Sequence, residues 1–178
     1  MKRYPHSSPR DRPVLRYVFS APSELEALRG RLGTDVCNRI LYLVSIAVKD
    51  YEVTSLLLER GLAGTQPQFL RYVLRVSDEE VRTWRAAWSA EAKILHLLSV
   101  FKVLACAWPM ARRGEYASEV GRWIGDAVSY LPASYSSALY SLLGALEGAR
   151  GTTHEKVYAV VREAVRLLVL PLLGGRET

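Results

Sequence analysis

The sequence has little of what metal centres and disulfide frameworks require. Its 178 residues include two cysteines, Cys37 and Cys106, and three histidines, His6, His96 and His154. Both cysteines lie in apolar helical patterns, so we expect buried free thiols and a reducing compartment. The histidines fall in different segments, and no spacing with cysteine or carboxylate makes a zinc motif. We therefore expect no metal and no cofactor.

The chain also lacks the short motifs that carry catalysis. It contains no glycine-rich phosphate loop and no nucleophile elbow, and no strand-to-helix turn is predicted that could present either. We expect a protein that is not an enzyme. A pair of carboxylates that meet in the fold, among the 18 acidic residues, is the catalytic alternative.

No segment is typical of a membrane span or a secretory signal. The N-terminus is basic and rich in proline and has no apolar core, unlike a signal peptide. The longest uncharged run, 127–146, contains Pro132, five serines and Gly144, which suits close helix packing better than a bilayer. These features predict a soluble, cytoplasmic protein.

Positive charge is concentrated in two parts of the chain. The formal net charge is +6. Residues 1–22 and 71–113 each carry a net charge of +4, whereas 23–70 and 114–178 each carry −1. Of the 24 basic residues, 19 are arginine, whose planar guanidinium pairs bidentately with phosphate. This pattern favours a polyanion as partner, and a general preference for arginine unrelated to binding is the alternative.

Residues 1–22 are predicted to form an extended basic arm. Four of the eight prolines fall here, and proline disfavours helix both at its own position and at the one before it. The basic residues of the arm are Lys2, Arg3, Arg10, Arg12 and Arg16. They alternate with the rings of Tyr4, His6, Tyr17 and Phe19. Such a segment can follow a sugar-phosphate backbone; a solvated tail is the alternative.

Residues 23–178 are predicted to form one all-α domain, a bundle of four to five antiparallel helices with short connections. Apolar periodicity, caps and prolines mark the expected helices. They run from a Ser23–Glu26 capping box to Gly30, from Thr34 or Asp35 to Arg60, from a Ser77–Glu80 capping box to Trp108 before Pro109, over 115–131, from Ser134 to Gly148, and from a Thr152–Glu155 capping box to Leu170. Residues 64–67 are expected to be a loop, and 69–76 a helix or a strand.

A second basic group lies within the expected helices. It comprises Arg71, Arg75, Arg82, Arg85 and Lys93, with Arg112 and Arg113 at the far end. From Arg82 to His96 the spacing places these side chains along one helical stripe, which suits a row of phosphates. The alternative is an ordinary solvated face, partly neutralised by nearby acids.

The C-terminal stretch 167–173 is apolar on every side. We expect it to dock on a partner subunit or to be buried in its own domain, with contact to a lipid layer as a lesser alternative.

A basic, proline-containing arm ahead of an arginine-rich helical bundle of this size resembles the major coat proteins of filamentous archaeal viruses. The resemblance is architectural and covers the whole chain. It implies paired coat subunits, copies of this chain or a paralogue, that clamp double-stranded DNA in the A form inside a virion assembled in the host cytoplasm. The implied DNA contacts are the arm residues first and the basic helical group second. The number of acidic residues in the body departs from the pattern.

Two other readings remain open. A small helical subunit of a CRISPR effector complex is also compact, basic and helical and binds RNA or single-stranded DNA, although it needs no proline-rich arm. A protein–protein adaptor or inhibitor would make no contact with nucleic acid and would show no dependence of binding on salt.

Overall fold

The computed structural model describes residues 20–175, and within them the chain is helical without a strand. The helices are α1 (Ser23–Glu26), α2 (Arg29–Leu32), α3 (Thr34–Glu59), α4 (Gln66–Val73), α5 (Asp78–Ala86), α6 (Ala90–Arg112), α7 (Ala117–Val128), α8 (Ala133–Gly148), α9 (Thr153–Ala164) and α10 (Leu170–Leu173), the last two joined by a π-helical turn, Val165–Val169. The all-α prediction is thus confirmed for this part of the chain. The arm predicted over 1–22 falls outside it, except for its last three residues.

The predicted number of four to five helices is too low, because short helices accompany the five long ones. Residues 69–76, open between helix and strand, belong mainly to α4, which begins at Gln66 with Pro67 in its first turn. Part of the expected loop 64–67 is therefore helical. Proline is tolerated there because the first N–H groups of a helix have no partner within the helix.

The helix expected from Ser77 to Trp108 is two helices, and Pro109 does not end the second. The chain breaks at Ala87, and Ser89 caps α6 by accepting a hydrogen bond from the Ala92 N–H at 3.1 Å. A serine before a new helical turn is a strong N-cap signal. α6 then runs through the buried Pro109 to Arg112, so packing outweighs the hydrogen bond that proline removes.

Of the three predicted capping boxes only that of Thr152 and Glu155 is complete. The Ser77 side chain accepts from the Glu80 N–H, but the Glu80 carboxylate accepts from Tyr130 instead of closing the box. Ser23 is not a cap, because Pro22 precedes the first turn of α1. The boundaries of α3 agree with the prediction. Gly61 follows the end of the helix with φ of 67°, a backbone conformation that glycine adopts without steric strain.

α3 and α6 run in the same direction, contrary to the expected antiparallel arrangement. The Thr54 hydroxyl lies 3.7 Å from the Cys106 Sγ, and Asp50 faces Lys102 one turn earlier on both helices. The chain therefore has to return along the bundle between them. α4 and α5 make this return, α4 against α7 and α5 against the end of α7 and the start of α8. We call residues 66–86 the return segment.

α6 is the central helix and packs against α3, α7, α8 and the C-terminal turns. Ten of its residues are buried, among them Phe101 and Met110. Within residues 20–175 it is also the one helix long and apolar enough to cross a membrane, and its burial in the bundle accounts for that composition. The C-terminal stretch 167–173 packs mostly on its own domain, with Leu168 and Val169 buried and Leu170 exposed.

We expect Phe101→Ala to lower the free energy of unfolding by about 3–5 kcal/mol, because it empties a fully packed site at the centre of the bundle. Phe101 has 0% of its surface exposed. Urea unfolding followed by circular dichroism measures the change. Ser99→Ala, at an exposed position of the same helix, is the control and should shift stability by less than about 0.5 kcal/mol; equal effects of the two would contradict the assigned core.

Candidate nucleic-acid interface

The return segment carries four of the predicted binding residues. Arg71 lies on α4, Arg75 just after it, and Arg82 and Arg85 lie on α5, and all four are exposed. Arg82 and Arg85 are three residues apart and share one helix face. The opposite face of α5 turns inward through Glu80 and Trp84, which contact Tyr130 and Tyr135 respectively. The exposed outer side of the return segment therefore carries these arginines.

These four arginines form no ion pair within residues 20–175, whereas several basic groups elsewhere do. Arg162 pairs with Glu24 at 2.7 Å, Arg166 with Glu163 at 2.6 Å, and Lys156 with Glu52 at 2.7 Å. Arg29 pairs with Glu26 as well. The return segment therefore presents guanidinium groups whose donors remain available to phosphate. Asp78 and Glu79, at the start of α5, are the exposed acids nearest in sequence.

A groove of about 350 Å³ separates the return segment from α7. Arg71 and Arg75 line one side, and Trp123 and Asp126 line the other. Arg122, which the sequence analysis did not select, is exposed one turn before Asp126 on α7 and so lies on the same face of that helix. The sequence held no signal for it, because only the fold brings α7 beside α4.

Two aromatic side chains stand out from the surface beside these arginines. Tyr72 of α4 is 81% exposed, and Trp88, in the break between α5 and α6, is 92% exposed. Contiguous exposed apolar patches mark interaction sites, whereas single exposed apolar side chains are common on protein surfaces. Trp88 also borders a shallow groove of about 250 Å³ whose wall includes Lys93 and Tyr135. Lys93 is therefore near Trp88 rather than on one stripe with Arg82.

The single stripe predicted from Arg82 to His96 is not formed on one helix, because residues 87–89 interrupt the helix between Arg85 and Lys93. Arg112 and Arg113 are at the opposite end of α6, about 28 Å from Lys93 at 1.5 Å per residue. Arg112 pairs with Glu147 at 3.4 Å and stacks on Trp108 at 5.5 Å. Arg113 lines a groove of about 420 Å³ that also contains Glu59 and Glu147. The structure brings neither of them to the return segment.

The predicted arm residues Lys2, Arg3, Arg10, Arg12 and Arg16 lie outside the described residues. Their part in binding stays a prediction from the sequence.

His96, the last member of the predicted stripe, belongs to an internal network. Its Nε2 lies 2.7 Å from the Tyr130 hydroxyl, which donates to the Glu80 carboxylate at 3.2 Å. Trp84 packs against the imidazole with ring centroids 5.4 Å apart. Burial lowers the pKa of His96, against the opposite effect of Glu80, and burial also raises the pKa of Tyr130. Both groups are neutral near pH 7, and the network joins α5 and α6 to Tyr130, which follows α7.

Both cysteines are free, Cys37 buried and Cys106 half-buried. Among residues 20–175 no three histidine, cysteine or carboxylate side chains are grouped so that they could hold a metal ion. No protein-family model, no curated protein and no solved structure matches this chain.

We expect stability to fall as the pH is lowered from about 7 to about 5 because of His96. Its pKa is lowered in the folded state. The unfolded chain therefore binds the proton first as the pH passes below about 6.5, and this stabilises the unfolded state. Urea unfolding at several pH values should show a flatter dependence for His96→Gln, whose amide can still donate to Tyr130. A His96→Gln variant that keeps the wild-type slope would contradict the role of His96.

Proposed function

We propose that this chain is a non-enzymatic structural protein that coats nucleic acid. It binds the phosphate backbone of double-stranded DNA without sequence specificity and assembles with copies of itself, or with a paralogous subunit, into a helical nucleoprotein filament of the kind that forms a virion coat. The observation that carries the proposal is a set of exposed arginines in the return segment that form no ion pair within residues 20–175, Arg71, Arg75, Arg82 and Arg85.

Phosphate contacts require positive charge that is not already neutralised. Each cation that replaces a counterion on duplex DNA contributes about 0.9 to the slope of log affinity against log salt. The arginines of the return segment meet this requirement, because they are exposed and form no ion pair in the described part of the chain. No residue of this face forms a sequence-reading motif, and this favours backbone contacts over base readout. The predicted arm would add five further cations.

We expect Arg71→Gln with Arg75→Gln, and separately Arg82→Gln with Arg85→Gln, to weaken binding to duplex DNA uniformly across sequences. Each pair should make the salt slope shallower by about 2, because each lost phosphate contact lowers it by about 1. Fluorescence anisotropy between about 50 and 200 mM salt measures the slope.

The control for both pairs is Arg162→Gln with Arg166→Gln, which removes the same charge from arginines that are already paired. It should leave the slope within error of the wild type. Equal losses in all three variants would show that net charge alone binds DNA and would overturn the assigned face. Electron microscopy of the wild-type mixtures tests assembly, since regular filaments are expected on duplex DNA.

A second candidate function is binding of RNA or single-stranded DNA, which the exposure of Trp88 and Tyr72 favours. Unpaired bases stack on such rings with about 1–3 kcal/mol each, whereas the bases of a duplex are already stacked. Arg85 and Lys93, on the two sides of Trp88 in the chain, could hold the adjoining phosphates.

The variant Trp88→Ala distinguishes the two candidate functions. If single strands are the ligand, we expect affinity for single-stranded RNA to fall about tenfold or more, while affinity for duplex DNA changes little. If duplex DNA is the ligand, the variant should bind both polymers nearly as the wild type does. Titration of each polymer in parallel measures this, and Tyr158→Ala, a less exposed ring on α9, is the control.

A further inference from the structure

α3 exposes a second surface, on the side opposite to the core. Tyr42 is 63%, Val53 56% and Leu56 46% exposed, whereas Ile40, Val44 and Val48 on the other side are buried. The outward positions follow one another at alternating spacings of four and three residues. They are Asp35, Arg39, Tyr42, Ile46, Lys49, Val53, Leu56 and Arg60, which we call the α3 seam.

Alternation of three and four is the period of residues that face a partner helix in a coiled coil. Four of the eight seam positions are apolar, Lys49 lies among them, and both ends of the seam are charged. The long aliphatic stem of Lys49 can cover apolar neighbours. A helix side that faces only solvent does not need apolar residues at this spacing along a 26-residue helix.

We propose that the α3 seam is a self-association surface, on which the α3 helix of a second copy of this chain packs in antiparallel orientation. In the register that aligns the apolar layers, Tyr42 lies opposite Val53 of the second copy. Ile46 then lies opposite Lys49 of the second copy, and Arg39 opposite Leu56. Two apolar side chains meet in the Tyr42–Val53 layer. In the next two layers an apolar side chain would pack on the aliphatic stem of Lys49 or Arg39.

The charges at the two ends of the α3 seam favour a second copy of this chain as the partner, in antiparallel orientation. The same register places Asp35 opposite Arg60 of the second copy, and Arg39 within one turn of Glu59 of the second copy. Two-fold symmetry repeats each contact at the other end. A parallel pair would instead set Asp35, Arg39 and Arg60 each against its own copy, and like charges directly opposite one another are unfavourable.

The surface is separate from the return segment. The inference rests on the self-assembly in the proposed function, for which it names the surface, and it does not depend on nucleic-acid binding. Sedimentation of the nucleic-acid-free full chain over a range of concentrations tests it. We expect a reversible dimer. Tyr42→Glu or Val53→Glu should weaken it at least about tenfold, because a buried unpaired charge enters two layers. Tyr72→Glu, at an exposed tyrosine of α4, should leave the dimer intact.

A charge exchange tests the register. Asp35→Arg alone and Arg60→Glu alone each place like charges together at both ends, and each should weaken the dimer. Mixing these two variants should restore dimers, because in the mixed pair both ends hold opposite charges. Circular dichroism checks that each variant is folded. A wild-type chain that stays monomeric at every concentration, or a mixture that fails to recover, would overturn the proposal; a monomer would leave the seam to a different partner.

Discussion

The parallel pairing of α3 and α6 is the constraint on which the rest of the arrangement depends. Two helices that follow each other in the same direction cannot be joined by a tight turn, because the chain must travel back along the bundle. α6 has 23 residues, so this return spans about 35 Å at 1.5 Å per residue. Two short helices cover the distance on the outside of α7. The outer flank of this return segment is consequently free of core contacts and can carry arginine.

The distribution of ion pairs follows from the same topology. Near the N- and C-terminal helices, arginines meet carboxylates from distant parts of the chain, as Arg162 meets Glu24. Exposed pairs of this kind contribute only about 0–1 kcal/mol each, so their main effect is on the surface potential rather than on stability. The return segment turns Glu80 inward to Tyr130, and its arginines form no ion pair with the part of the chain that the structure describes. A modest net charge of +6 thereby becomes a local concentration of positive charge.

The sequence predicts those elements of the fold whose signals are local. The ends of α3, the cap of α5 at Ser77 and the capping box at Thr152 are all read from neighbouring residues. The break before α6 was missed because the apolar Trp88 continues the helical pattern across it, and because Ala92 stands where a capping box would have glutamate or glutamine. The course of α6 through Pro109 depends on packing, which no local pattern records. For the candidate interface, the sequence predicts the four arginines of the return segment as binding residues. The position of Arg122 near them and of Arg112 far from them depends on the topology, which no local pattern records.

The two proposed surfaces are compatible in one assembly. The α3 seam points away from the core on one helix, while the return segment packs on α7, so a second copy on the seam leaves the arginines accessible. A two-fold pair would carry two such arginine faces, each able to contact phosphates independently. Two linked sites bind a polymer more tightly than either does alone, because the second contact is intramolecular once the first is made. Weak phosphate contacts from a single copy, of the kind that salt screens, could in this way support a stable coat without any single strong site.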